Sequence, residues 1–177
     1  MTDSDTTLRS VYIWICEGTW RATVDAALGL APVLGSRSRF TLLHVTSPDA
    51  ADAAHGAYRG LLGRAGHDPG ERLEVLASVS AAEVIEAAER RLGRPCERLE
   101  ILGSTERAVV AASADADLLI VARDGDRSRL GPKSLGKATR FVVDHAACPV
   151  LLVWPDAAPD VRTIPPPPPH HPHHGGR

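Results

Sequence analysis

The sequence predicts a single α/β domain built on a five-stranded, doubly wound parallel sheet. Short runs of β-branched and aliphatic residues alternate with helix-type segments along most of the chain. Strands of continuous apolarity are typical of a parallel sheet that is covered on both faces. Because the connections are short, right-handed crossovers would place helices on both faces of this sheet.

The first strand and the first helix are predicted by clear local signals. The run VYIWIC, Val11–Cys16, is β-branched and aromatic, as expected of a central strand. Thr19 is a suitable N-cap for the helix that follows. A single apolar stripe at helical spacing is formed by Trp20, Val24, Ala27, Leu28 and Ala31. Pro32 and Gly35 are stop signals that together are predicted to end the helix.

The next segments are predicted to form one strand and two helices. RFTLLHV, Arg39–Val45, is the second strand. The sequence beyond it is rich in Ala, Leu, Glu and Arg, which favours helices over Ala51–Arg64 and Arg72–Leu92. The segment GHDPG separates these helices, and Gly93 ends the second one in the usual C-terminal position.

The rest of the domain continues the alternation of strand and helix. Leu99 and Ile101 share one face of the third strand, and Phe141, Val142 and His145 share one side of the last helix. The predicted elements are, in order, the strand Glu97–Gly103, a short helix capped by Ser104 or Thr105, the strand Asp117–Ala122, the helix Gly136–Ala146 and the strand Cys148–Trp154.

Composition argues against several classes of protein. The 177-residue chain has a formal net charge of −2 and 4% aromatic residues, so a basic nucleic-acid-binding face is not expected. No apolar run approaches the roughly 18 residues that a membrane span needs, and the start of the chain has no apolar leader region. The three cysteines are widely spaced and form no CxxC pair. These features predict a cytoplasmic protein with no membrane or nucleic-acid partner.

The two ends of the chain differ in composition from its middle. Residues 1–9 are predicted to be flexible, residues 10–155 to form the domain and residues 156–177 to be a disordered, Pro- and His-rich tail. Pro165–Pro169 should hold a polyproline II rod. The tail histidines could chelate zinc or nickel, but a solvated tail is favoured because it offers no preset geometry. We therefore predict no metal site.

A glycine-bearing basic loop follows the fourth strand. Between Arg123 and Arg140, six basic residues accompany two acidic ones, Asp124 and Asp126. The N-terminus of the next helix leaves backbone N–H groups unpaired and attracts anions. Doubly wound sheets bind ligands beyond the carboxyl ends of their strands, at the switch point in strand order. The loops after the first and fourth strands are therefore the predicted site, although the basic residues could instead only solvate a surface loop.

Other nucleotide and hydrolase motifs do not fit the sequence. GPKSLGKA, Gly131–Ala138, is close to the P-loop pattern, but it lies too far beyond the strand and Ala138 lacks the hydroxyl that would hold Mg²⁺. Ser134 lacks the spacing of a nucleophile elbow. His44 and His145 are interpreted as packed core histidines rather than as bases. We therefore predict no catalytic residue.

Taken together, these segments resemble the universal stress protein family over about Arg9 to Trp154. Nucleotide-binding members of that family carry Gly-x2-Gly-x9-Gly-Ser/Thr after the fourth strand, then a helix, a Cys-Pro-Val turn and an aliphatic last strand. Here GKATRFVVDHAACPVLLV is similar to the second half of that pattern. ADLLIVARDG is similar to the fourth strand and the start of the loop that follows it. The family's Val-Asp-Gly-Ser appears as Cys16-Glu17-Gly18-Thr19. The resemblance implies a Rossmann-like fold of the HUP type, that of the adenine nucleotide alpha hydrolases.

The resemblance also implies a nucleotide site with several departures from the motif. Ala122 stands at the first motif glycine, ten residues rather than nine separate Gly125 from Gly136, and Lys137 replaces the Ser/Thr. Lys137 can replace a hydroxyl donor with a charged one. The implied ligand is ATP or AMP, with Mg²⁺ if ATP binds. The candidate nucleotide-binding residues are Glu17, Gly18, Thr19, Val45, Ala122, Arg123, Gly125, Gly131, Gly136, Lys137 and Ala138.

Three functions remain open on the sequence alone. The first is a non-catalytic or weakly catalytic adenine-nucleotide-binding regulatory module in the stress response. The second is a nucleotide-independent, dimeric interaction scaffold with a degenerate motif. The third is a slow ATP hydrolase, which would need Asp124 or Asp126 to hold Mg²⁺. The last strand is apolar on both faces and is expected at the sheet edge, so residues 150–154 are predicted to form a homodimer interface, as the resemblance also implies.

Overall fold

The structure is a computed structural model that describes residues 9–47 and 82–166. Within these ranges, five strands form one sheet in the order β3-β2-β1-β4-β5, and every pair of neighbouring strands is parallel. The strands are β1 (Ser10–Trp14), β2 (Arg39–Thr46), β3 (Cys96–Leu102), β4 (Leu118–Ala122) and β5 (Val150–Val153).

Helices cover both faces of this sheet. They are α1 (Trp20–Leu34), a helix over residues 82–92 that we label α2, α3 (Thr105–Ala112) and α4 (Lys137–His145). Val24 of α1 and Ile85 of α2 pack with Ile13 of β1 on one face. Val109 of α3 and Val142 of α4 belong to the core cluster on the other face. The predicted doubly wound α/β fold is therefore confirmed.

Helix α1 passes through the first of its two predicted stop signals. It runs to Leu34 and contains Pro32, which was predicted to stop it. Proline removes one backbone hydrogen bond, but Leu34 still packs against the core, so burial favours the extra residues. Gly35 then follows with a φ of 87°. Of the two predicted stop signals, Gly35 therefore follows the end of the helix as expected, whereas Pro32 does not stop it.

The end of α2 agrees with its sequence signal. Gly93 has a φ of 58° and donates its N–H to the carbonyl of Glu89 at 3.0 Å. This left-handed conformation is the reason that glycine is favoured directly after a helix. The predicted helix Ala51–Arg64 and the first part of Arg72–Leu92 lie outside the described residues.

The segment after β5 contacts the loop that follows β4. The sequence predicts disorder from residue 156 onward, whereas the structure has a 3₁₀ turn at Val161–Thr163. The Thr163 Oγ1 accepts the Leu130 N–H at 2.9 Å. Arg127 and Asp156 form an ion pair at 3.0 Å. The ordered chain thus extends beyond residue 155, while residues 167–177, with the four tail histidines, lie outside the described residues.

Candidate functional site

The order of the strands reverses between β1 and β4. Strands β2 and β3 lie on one side of this point and β5 on the other. The helix after β1 and the helix after β4 pack on opposite faces of the sheet. This arrangement opens a crevice at the carboxyl ends of β1 and β4, which is where doubly wound sheets bind ligands.

Loop 123–136, which follows β4, is closed on itself by backbone hydrogen bonds. The Gly125 N–H donates to the Ser134 carbonyl at 2.9 Å, and the Asp126 N–H donates to the Lys133 carbonyl at 2.8 Å. A Cβ on Gly125 would collide with the Lys133 carbonyl oxygen and lie 2.8 Å from the Leu135 carbonyl carbon. The second motif glycine therefore permits close backbone packing, and its N–H is engaged within the protein.

The arginines around this loop are also engaged within the protein. Arg123 donates to the Ser134 Oγ, and its guanidinium lies 4.7 Å from the centroid of the Trp154 ring. The other three arginines also have partners: Arg127 pairs with Asp156, Arg129 pairs with Asp126, and Arg140 donates to the Pro132 carbonyl. Lys133 and Lys137 are exposed and form no ion pair with any described residue. These two lysines are therefore the cations that a ligand could recruit.

The N-terminus of α4 presents a row of backbone donors. The N–H groups of Lys137, Ala138 and Thr139 have no acceptor among the residues that the structure describes. The Gly136 N–H, directly before them, donates to the Asp124 Oδ1 at 2.7 Å. Unpaired amides at a helix N-terminus, aided by the helix dipole, can bind an anion.

Asp124 lies within the crevice. Burial raises the pKa of the Cys16 thiol to about 12, and the negative charge of Asp124 contributes to that rise. Asp124 therefore acts both on the end of β1 and on the start of α4. With its pKa raised, the Cys16 thiol stays protonated near neutral pH, so it is not a nucleophile.

The ends of β1 and β2 form the other side of the site. Glu17 and Gly18 are exposed, and Gly18 has a φ of 79°. The Thr19 side chain is buried, and its Oγ1 donates to the Cys16 carbonyl at 3.5 Å. Val45 is also buried. These four predicted residues lie at the carboxyl edge of the sheet, as does loop 123–136.

The sequence predicts that His44 and His145 are both packed core residues, but the two differ in burial in the structure. His44 is half-buried, and its Nδ1 lies 2.9 Å from the Ile15 carbonyl oxygen. Because a carbonyl only accepts, this ring nitrogen carries the proton. His145 is exposed and stacks on Phe141 with ring centroids 4.0 Å apart, so the packed interpretation is wrong for His145.

Two predicted site residues have structural partners elsewhere. Ala122 is buried, and its carbonyl accepts the Thr139 Oγ1 at 3.4 Å, which ties the end of β4 to α4. Gly131 has a φ of 119°, and a Cβ added there would lie 3.8 Å from Pro165 of the C-terminal segment. The candidate residues with exposed polar groups in the crevice are therefore concentrated at Glu17 and at the start of α4.

Within residues 9–47 and 82–166, no group of three or more His, Cys, Asp or Glu side chains could hold a metal ion. Cys16, Cys96 and Cys148 are free thiols. None of the described helices is long and apolar enough to cross a membrane.

Both the sequence and the fold are similar to those of known proteins. The model of the universal stress protein family matches residues 23–153, which is well over half of the chain. The chain belongs to the universal stress protein family. No curated protein matches the sequence of this universal stress protein.

Solved structures of universal stress proteins share its fold. UspA from Lactobacillus plantarum is 18% identical, with 82% of this chain and 97% of that chain covered and a TM-score of 0.57. A universal stress protein in complex with cAMP is 19% identical, with 84% and 98% covered and a TM-score of 0.51. A family member from Arabidopsis thaliana with AMP bound is 16% identical, with 89% and 95% covered and a TM-score of 0.53. At these identities the likeness establishes the shared fold.

Proposed function

We propose that this universal stress protein is an adenine-nucleotide-binding regulatory module whose ligand binds in the crevice between β1 and α4. The observation that carries the proposal is the set of unpartnered N–H groups of Lys137, Ala138 and Thr139 at the switch point of the sheet. The complexes of similarly folded proteins with cAMP and with AMP support an adenine nucleotide as the ligand.

The chain offers a distinct partner for each part of such a ligand. The phosphate would accept from the amides at the start of α4 and from the Lys137 ammonium group, which is exposed beside them. The exposed Glu17 carboxylate would accept from a ribose hydroxyl. Backbone groups at the end of β2, near Val45, would meet the adenine. We assign Gly125 and Ala122 to the shape of the loop rather than to direct contact with the ligand.

Hydrolysis of ATP has less support than binding. Asp126 Oδ1 accepts from Ser128 and Asp126 Oδ2 accepts from Arg129, and these contacts lower the pKa of Asp126 to about 2. Asp124 Oδ1 accepts the Gly136 N–H. No pair of uncommitted carboxylates in loop 123–136 is therefore available for an ATP-bound Mg²⁺. We propose binding without efficient hydrolysis.

Thermal unfolding with AMP, ADP and ATP, with and without Mg²⁺, tests the proposal. A ligand at 100 times its dissociation constant should stabilise the folded state by about 2.7 kcal/mol, which corresponds to a rise in Tm of several degrees. Lys137→Ala should reduce the rise for ATP more than for adenosine, because the lost contact is charged. Arg90→Ala is the matched control, since Arg90 lies on α2 with an exposed side chain. If no nucleotide at millimolar concentration changes the Tm, nucleotide binding is rejected.

A nucleotide-independent dimeric scaffold is the second candidate function. Among the strands that the structure describes, β5 lies at one edge of the sheet and pairs only with β4. All four of its residues are half-buried apolar side chains, and an apolar edge strand favours pairing with a second copy. We propose that such a dimer forms across residues 150–154, with or without nucleotide.

Leu152→Arg should disrupt this dimer. A charge at the centre of a two-fold interface is placed opposite or near its own copy, so like charges meet in both halves. Light scattering should give twice 18.8 kDa for the wild type and 18.8 kDa, or aggregate, for the variant. Leu102→Arg is the matched control, because Leu102 is an exposed leucine on the opposite edge strand β3. A monomeric wild type at micromolar concentration would reject the interface.

A further inference from the structure

We propose that the Asp124 carboxylate competes with phosphate for the start of α4, so that the crevice discriminates against phosphate-bearing ligands relative to adenosine. We call the four N–H groups of Gly136, Lys137, Ala138 and Thr139 the phosphate seat. The inference rests on the proposed nucleotide site, and it defines which part of a nucleotide that site accepts readily.

The geometry places the Asp124 carboxylate at the first N–H of the phosphate seat. Asp124 Oδ1 lies 2.7 Å from the Gly136 nitrogen and accepts its N–H. A Cβ added to Gly136 would lie 2.7 Å from both carboxylate oxygens. The absence of a side chain at Gly136 therefore lets the carboxylate lie against this residue, at one of the four N–H groups that a phosphate could use.

Asp124 is not an ordinary helix cap. An N-cap side chain normally belongs to the residue that begins the helix, and here that residue is Gly136, which has no side chain. The carboxylate comes from 12 positions earlier in the chain, at the far end of the closed loop. Its charge also acts on Cys16 at the end of β1. The carboxylate thus reaches the start of α4 from the residues directly after β4.

Charge makes this competition effective. Asp124 forms no ion pair with any described residue, while the loop arginines are committed to other partners. Two anions within about 4 Å of each other repel even near a protein surface. A phosphate must therefore displace the carboxylate or bind beside it, and adenosine need do neither.

Two substitutions separate the charge of Asp124 from its occupancy of the phosphate seat. Asp124→Asn keeps an oxygen acceptor of the same shape and removes the charge, whereas Asp124→Ala removes both. Asp126→Asn is the matched control, because it removes the same charge from the same loop, and Asp126 contacts Ser128 and Arg129 rather than the phosphate seat. Titration calorimetry with adenosine, AMP, ATP and inorganic pyrophosphate measures the effect for each variant.

We expect Asp124→Asn to bind AMP and ATP on the order of tenfold more tightly than the wild type, the change that removal of one partly screened charge repulsion would give. Asp124→Ala should bind at least as tightly as Asp124→Asn. Adenosine affinity should not change in either variant, and Asp126→Asn should not alter the ratio of ATP to adenosine affinity. The gain should shrink at high salt, because exposed charges are screened.

The outcomes distinguish this inference from the proposed function. If no protein binds adenosine or a nucleotide, but the Asp124 variants alone bind pyrophosphate, then the inference stands and the nucleotide function fails. If the folded variants bind phosphate-bearing ligands no more tightly than the wild type, then the inference is overturned and Asp124 only caps α4.

Should neither variant fold, amide NMR of the wild type decides. Pyrophosphate should shift the Gly136 amide resonance as the carboxylate leaves it, and an unmoved resonance at saturating pyrophosphate overturns the inference.

Discussion

Gly125→Ala should open loop 123–136 and lower the stability of the protein by about 2 kcal/mol or more. The added methyl group would collide with the Lys133 carbonyl oxygen and lie 2.9 Å from the Gly136 nitrogen. Both contacts are with backbone, so no side chain can rotate away to make room. The hydrogen bonds from Gly125 to Ser134 and from Asp126 to Lys133 would then be lost together.

Denaturant unfolding and nucleotide titration check this prediction. The loop leads directly into the start of α4, so we expect the nucleotide response to fall with the stability. Gly29→Ala is the matched control, because Gly29 lies within α1 and a Cβ there meets nothing within 4 Å. That substitution should stabilise the protein by about 0.5–1 kcal/mol, since alanine favours the helix interior. A Gly125→Ala protein that unfolds at the wild-type denaturant concentration would contradict the role assigned to this glycine.

Most of the fold follows from local sequence patterns. The apolar runs at β1, β2 and β4 are continuous because both faces of a central parallel strand are buried, and that signal requires no knowledge of tertiary structure. Gly93 marks the end of α2 for a reason that is equally local, its left-handed φ. Pro32 shows the limit of such rules, because the decisive contact, Leu34 against the core, is made in the tertiary structure.

The sequence predicts where the candidate site lies, but it does not predict which of the site's charges are paired within the protein. The spacing of Gly125 and Gly136 located the loop, and counting its basic residues predicted a positive surface. The structure instead pairs Arg127 with Asp156, 29 positions away. In the structure, the Asp124 carboxylate also accepts a hydrogen bond from the Gly136 N–H. Such pairings depend on how the loop folds back on itself, so neither composition nor spacing could reveal them.

Arg123 is a second case in which composition and spacing could not reveal the contacts of a side chain. The sequence predicts that it binds the nucleotide. Its guanidinium is held between the Trp154 ring and the Ser134 hydroxyl. Within the described ranges, the Arg123 Nε is the one buried side-chain nitrogen or oxygen atom that has no hydrogen-bond partner. A half-buried charged group with one buried donor already unpaired depends strongly on its remaining contacts. Arg123 therefore stabilises loop 123–136 through Ser134 and Trp154.

Ser134→Ala should consequently destabilise the protein by about 2 kcal/mol, within the range for hydrogen bonds to charged groups. Ser134 is fully buried; its Oγ accepts from Arg123 and donates to the Gly131 carbonyl at 2.7 Å. Denaturant unfolding measures the loss. Ser128→Ala is the matched control, since Ser128 is an exposed serine of the same loop and its replacement should cost clearly less.

A double-mutant cycle shows whether Arg123 is the cause of that cost. Arg123→Met keeps much of the apolar stem and removes the guanidinium, so no buried charge remains for Ser134 to satisfy. Ser134→Ala should then cost less in the Arg123→Met background than in the wild type, because a coupling energy between contacting residues appears as non-additivity. An equal cost in both backgrounds would mean that the Ser134 hydroxyl acts only through Gly131. In that case the Arg123 guanidinium would be free to turn toward a ligand, as its place among the candidate nucleotide-binding residues predicts.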